Sequence, residues 1–95
     1  MSPVGEIELT TVSALDRSLV ALVHSLRREI WIDLTQVTFM DVAGLHVLLG
    51  AQRELERDQR RLRVVVRDGV VRRLLEVADA DGALTIQRDR RRTPR

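Results

Sequence analysis

The segment Val37-Thr38-Phe39-Met40-Asp41-Val42-Ala43-Gly44-Leu45 is where this 95-residue sequence concentrates its chemistry. Asp41 stands just before helix-spaced apolar residues and fits an N-cap, since a carboxylate there accepts unpaired backbone N–H groups of the first turn. The N–H groups that stay free at such a helix start favour an anion or an acidic group of a partner. Ala43 and Gly44 leave the start bare, so another backbone can come close. Phe39 and Met40 are expected to anchor the turn. On the residues alone, the pattern is more simply read as an ordinary strand-to-helix turn needing small side chains.

Other chemistry finds little to build on. His24 and His46 have neither a Cys nor another His at ligand spacing, and both are expected to be solvated surface residues. Asp79 and Asp81 beside Gly82 lack the twelve-residue loop and closing Glu of a calcium site, and read as a helix-ending turn. Val66-Arg67-Asp68-Gly69 has a single Gly, too few for a phosphate loop. The absence of Cys excludes disulfides, thiolate metal sites and cysteine nucleophiles. No catalytic group, metal or cofactor is expected.

The elements that must position Asp41 are legible from periodicity. Val4 to Leu9 is a short extended candidate. Val12, Leu15, Leu19, Leu22, Val23 and Leu26 recur at helical spacing. Ser13 and Asp16 suggest the cap of that helix, and Arg27 and Arg28 its last turn. Ile30 to Leu34 reads as a strand, and Thr35 to Met40 as a link. Leu45, Leu48, Leu49, Gln52, Leu55 and Gln59 mark a second helix, with Arg53, Glu56, Arg57 and Arg60 outward. Leu62 to Val66 is a strand, and Asp68-Gly69 a turn. A third helix spans Val70 to Ala78, and Leu84 to Ile86 is a last short strand. Strands and helices in alternation predict an α/β fold with a mainly parallel sheet covered by helices.

Bulk properties agree with one soluble domain. Hydrophobic residues make up 44% and charged residues 32%, with one Phe, one Trp and no Tyr. Nucleic-acid bases would find almost no aromatic platform. No apolar run reaches the roughly 18–20 residues of a membrane span. The start, Met1-Ser2-Pro3-Val4, has no signal-peptide character, so the cytoplasm is the expected compartment. The net charge of +2 includes Arg88, Arg90, Arg91, Arg92 and Arg95. A near-neutral body thus carries a basic tail, for which salt-dependent nucleic-acid affinity is the weaker reading and a solvated end the simpler one.

Several of these segments together resemble the STAS family, and most of all the bacterial anti-sigma factor antagonists. The resemblance rests on Ile32-Asp33-Leu34, on Val37 to Asp41 with Gly44-Leu45 and Leu48-Leu49, and on Val64-Val65-Val66 and Val70 to Leu75. Gly5 to Leu9 is similar to the family's Gly-Glu-Leu-Asp segment. The match implies a SpoIIAA-like central mixed, mainly parallel sheet flanked by helices, over residues 5–86, with 87–95 as a basic tail. It also implies a non-catalytic module that docks a kinase-type anti-sigma factor through Asp41, Val42, Ala43, Gly44 and His46. In the family the residue after the aspartate carries a hydroxyl that the partner kinase phosphorylates, and the added charge drives the complex apart. Here Val42 and Ala43 occupy the hydroxyl positions, so the docking scaffold is kept without its switch. Thr38 matches no family phosphosite. The alternative is a STAS subunit of a lipid-transport ATPase or a stress-sensing complex. Only Met1 to Val4 stand where the family has further N-terminal strand, so the sheet is expected to lack that edge. An unpaired edge would accept a second copy.

Overall fold

The computed structural model describes residues 1, 3–8, 10–78 and 84–89. The elements are β1 (Gly5–Ile7), α1 (Val12–Val23), β2 (Glu29–Asp33), β3 (Val37–Met40), α2 (Val42–Glu56), β4 (Arg61–Val66), α3 (Val70–Ala78) and β5 (Thr85–Arg88). Every pairing among these strands is parallel: β1 with β3, β2 with β4, and β4 with β5. The supposed link from Thr35 to Met40 therefore contains a strand. Val37 and Met40 are buried while Thr38 and Phe39 are exposed. That spacing breaks the alternation by which a strand is recognised, and pairing with β1 settles it instead.

β2 and β3 follow one course beside the N-terminal chain. Asp33 N–H donates to the Met1 carbonyl (2.8 Å), Gly5 N–H to the Gln36 carbonyl (3.1 Å) and Asp41 N–H to the Ile7 carbonyl (3.1 Å). The first residues thus keep pace with positions 33 to 41, with β1 as the edge, and among the described residues no further strand precedes it. That edge is short, and its register shifts between Gly5 and Glu6. Each helix returns from the carboxyl end of one strand to the amino end of a parallel one, so α1, α2 and α3 all run against the strands.

The core forms on one face of the sheet. Ile30, Ile32 and Leu34 and, beside them, Leu62, Val64 and Val66 are buried with Leu15, Leu19, Leu45, Leu48, Leu55 and Leu75. Burying each such side chain stabilises by about 1.5–3 kcal/mol. The intervening Glu29, Trp31, Arg61 and Arg63 are exposed or half-buried. The helices thus cover one face, and the other stays accessible. On it the Arg63 guanidinium lies 5.4 Å from the Trp31 ring centre and pairs with Glu29 at 3.0 Å.

Several element ends depart from the sequence reading because tertiary partners set them. α1 is preceded by Thr11, whose hydroxyl donates to the Glu6 carbonyl (2.9 Å) and accepts from Glu8 N–H (3.0 Å). Ser13 lies inside the helix and caps nothing. α1 stops at Val23, before Leu26, Arg27 and Arg28, and α2 stops at Glu56, before Gln59. Arg60 does not point outward. It donates to the carbonyls of Val23 (2.7 Å), Ser25 (3.0 Å) and Arg27 (3.3 Å), fastening the end of α1, where unpaired carbonyls and the helix dipole attract a cation. Gln52 is buried and satisfied, accepting from Leu62 N–H (3.0 Å) and donating to Glu56 (3.1 Å). β5 runs on to Arg88, which pairs with Asp68 at 3.2 Å. Leu9, the Asp79-Ala80-Asp81-Gly82 turn and residues 90–95 lie outside the described residues. Among those described, no helix is long and apolar enough to cross a membrane.

Candidate protein-docking site

Asp41 caps α2 as its type and place require. Its backbone is extended (φ −111°, ψ −170°), and Oδ1 accepts from Ala43 N–H at 2.9 Å and Gly44 N–H at 3.4 Å. The cap ties down the first turn and leaves the following side chain to project. Val42 opens the helix with 56% of its surface exposed, and Asp41 and Ala43 are half-buried on either side. His46 is exposed one turn further on.

Gly44 plays a different part from the one its type suggested. It is buried, and a Cβ there would lie 2.8 Å from Ile7 Cγ2 and 2.8 Å from Met40 Cγ. The close approach it permits is that of α2 to β1 and β3 within the same chain. Met40 anchors the turn, being 3% exposed, but Phe39 does not, at 42%. A strand side chain facing away from the covered side has no core to enter, however apolar it is.

Val70 belongs to the same edge of the molecule. It opens α3, which starts like α2 at the carboxyl ends of the strands, and it is exposed where sequence periodicity placed it in the apolar stripe. Phe39, Val42 and Val70 are thus three accessible apolar side chains, one late in β3 and the others opening α2 and α3. Periodicity could not separate Val70 from its buried neighbour Val71, because both fit the stripe. Behind Val70, Arg72 sits between Glu76 and Asp68, and chiefly the hydrogen bond to Glu76 raises its pKa and holds it charged. His24 is exposed, as expected, with Nδ1 2.8 Å from the Val20 carbonyl. No group of three or more His, Cys, Asp or Glu among the described residues is placed to hold a metal ion.

A one-sided parallel α/β layer with a capped, accessible helix start defines the class of domain. The family model described as "Mlab, STAS domain" matches residues 2–87. The chain belongs to the STAS domain family. Its structure is similar to that of an anti-sigma factor antagonist from Mycobacterium paratuberculosis, with TM-score 0.81 and 28% identity over 90% of this chain and 73% of that one. The unphosphorylated form of the anti-sigma factor antagonist SpoIIAA shares the fold, with TM-score 0.64 and 18% identity over 90% of this chain and 74% of that one. Comparison with curated protein sequences finds no match.

Proposed function

We propose that this chain is a non-catalytic regulatory STAS module, an anti-sigma factor antagonist that docks an anti-sigma factor through the start of α2. Asp41, Val42, Ala43 and His46 form the contact, with Gly44 setting the helix in place beneath it. The observation that carries the reading is the exposure of Val42 at the first position of a capped helix, 56% accessible and without a hydroxyl. In such an interface a phosphate would bring about −1.5 to −2 charges and expel the partner. Position 42 cannot receive one, so binding here escapes that control.

The test is to mix the full chain with kinase-type anti-sigma factors and ATP. A stable complex with no label transferred to this chain supports the proposal. Label on the chain removes the claim of insensitivity, and absence of any complex removes the claim of binding. The missing hydroxyl fits a second reading equally, a STAS subunit of a lipid-transport ATPase or a stress-sensing complex. A pull-down returning an ATPase subunit and no sigma regulator decides for that reading.

A further inference from the structure

We propose that the groove between α1 and α2 is a second docking surface, which meets the first at His46 and seats an amphipathic helix with basic flanks. The groove encloses about 440 Å³ and is lined by both helices. Leu19, Val23, Val47 and Ala51 make its apolar floor, and Val20 stands in its wall 49% exposed. Because α1 and α2 run in the same direction, Asp16 and His46 fall toward one end, and His24 and Glu54 toward the other.

Gly50 is the informative residue. Glycine in a helix interior is disfavoured relative to alanine, and a close neighbour usually explains it. Here a Cβ on Gly50 would meet no atom within 4 Å. What Gly50 supplies is open space in the groove, in contrast to Gly44, whose missing Cβ is filled by Ile7 and Met40.

Shape and charge select the occupant. The groove follows α1 from Asp16 to His24 and α2 from His46 to Glu54, eight-residue steps of about 12 Å each, or two turns of a helix laid alongside. Apolar side chains spaced three and four apart would reach the floor in the helix-in-groove mode. Asp16 and Glu54 line the groove, and Glu54 makes an exposed pair with Arg57 at 2.9 Å. An occupant with arginine or lysine beside its apolar edge complements them, and an acidic one is repelled.

Two fluorescein-labelled synthetic helices test this against the full chain by anisotropy. They share one leucine and alanine edge, flanked by arginine in the first and glutamate in the second. The arginine helix is expected to bind about tenfold or more tightly than its twin, with the difference shrinking as salt rises. Gly50→Leu fills the floor and should weaken binding about tenfold while the melting temperature holds or rises, since leucine is the better helix former. Asp16→Asn with Glu54→Gln should remove the preference for the arginine helix. Val42→Asp should leave this binding unchanged, so failure here and failure at the start of α2 read out separately. Equal affinity for both helices, or full affinity in Gly50→Leu, overturns the proposal. So does a dimer in sedimentation that Gly50→Leu dissociates, because a second copy would then be the occupant.

Discussion

At position 42 stands a valine, 56% exposed, where the resemblance to the antagonists implies a hydroxyl. In the proposed interface, phosphorylation at this position is closed to a partner kinase. Val42→Asp places a fixed negative charge there. An acid at the first helical position suits the helix dipole, so the fold should be unharmed. Titration calorimetry against the captured partner should show about a tenfold or greater loss, roughly 1.4 kcal/mol. An unchanged affinity would take Val42 out of the interface. Val42→Ser restores the missing hydroxyl, and label from ATP should then appear on the chain in the presence of the partner kinase. Asp41 acts one step earlier, on the helix itself. Asp41→Ala leaves the N–H groups of Ala43 and Gly44 without their acceptor, and urea unfolding should report a loss of about 1 kcal/mol.

Between elements, two glycines of one helix are expected to respond in opposite directions. Gly44→Ala drives a methyl group into Ile7 and Met40, and should destabilise the domain by about 1–3 kcal/mol as α2 is pushed off β1 and β3. Gly50→Ala meets no obstacle and should stabilise by up to about 1 kcal/mol through helix propensity. Thermal unfolding of the two variants side by side checks both signs. Arg60 joins the end of α1 to the turn before β4 through three carbonyl contacts. Arg60→Ala should lower stability by about 1.5–3 kcal/mol in denaturant titration, the range for hydrogen bonds from a charged donor. Arg60→Lys should recover only part of it, because an ammonium cannot reproduce the guanidinium fork.

Across the whole molecule, charge is unevenly divided. Taking Arg90, Arg91, Arg92 and Arg95 from a net +2 leaves −2 on the remainder. Arg88, grouped with the tail on sequence, belongs to β5, so a truncation that spares the sheet must fall after Asp89. Such a truncation should abolish any retention on DNA at low salt and leave partner binding intact, as a non-specific electrostatic contact would. Retention that survives it would place nucleic-acid affinity in the domain itself. Pairing of two copies through β1, proposed from the sequence, has only a three-residue strand with a register shift to work with. Short, irregular edges discourage such pairing, so sedimentation should show at most a weak, concentration-dependent dimer.

Much of the architecture followed from the sequence alone. The α/β layering, the three helices and the cap at Asp41 were legible because each rests on local periodicity or residue type, and only the family resemblance implied a hydroxyl missing at position 42. What the sequence left open depends on partners far along the chain. β3 lacks an alternating pattern and is defined by β1, some thirty residues earlier. Phe39 and Val70 are apolar yet exposed, Gly44 is buried while Gly50 is open, and Arg60 turns inward to α1. Residue type tells whether a side chain can be buried. Only the packing of one element on another decides whether a surface exists there to bury it.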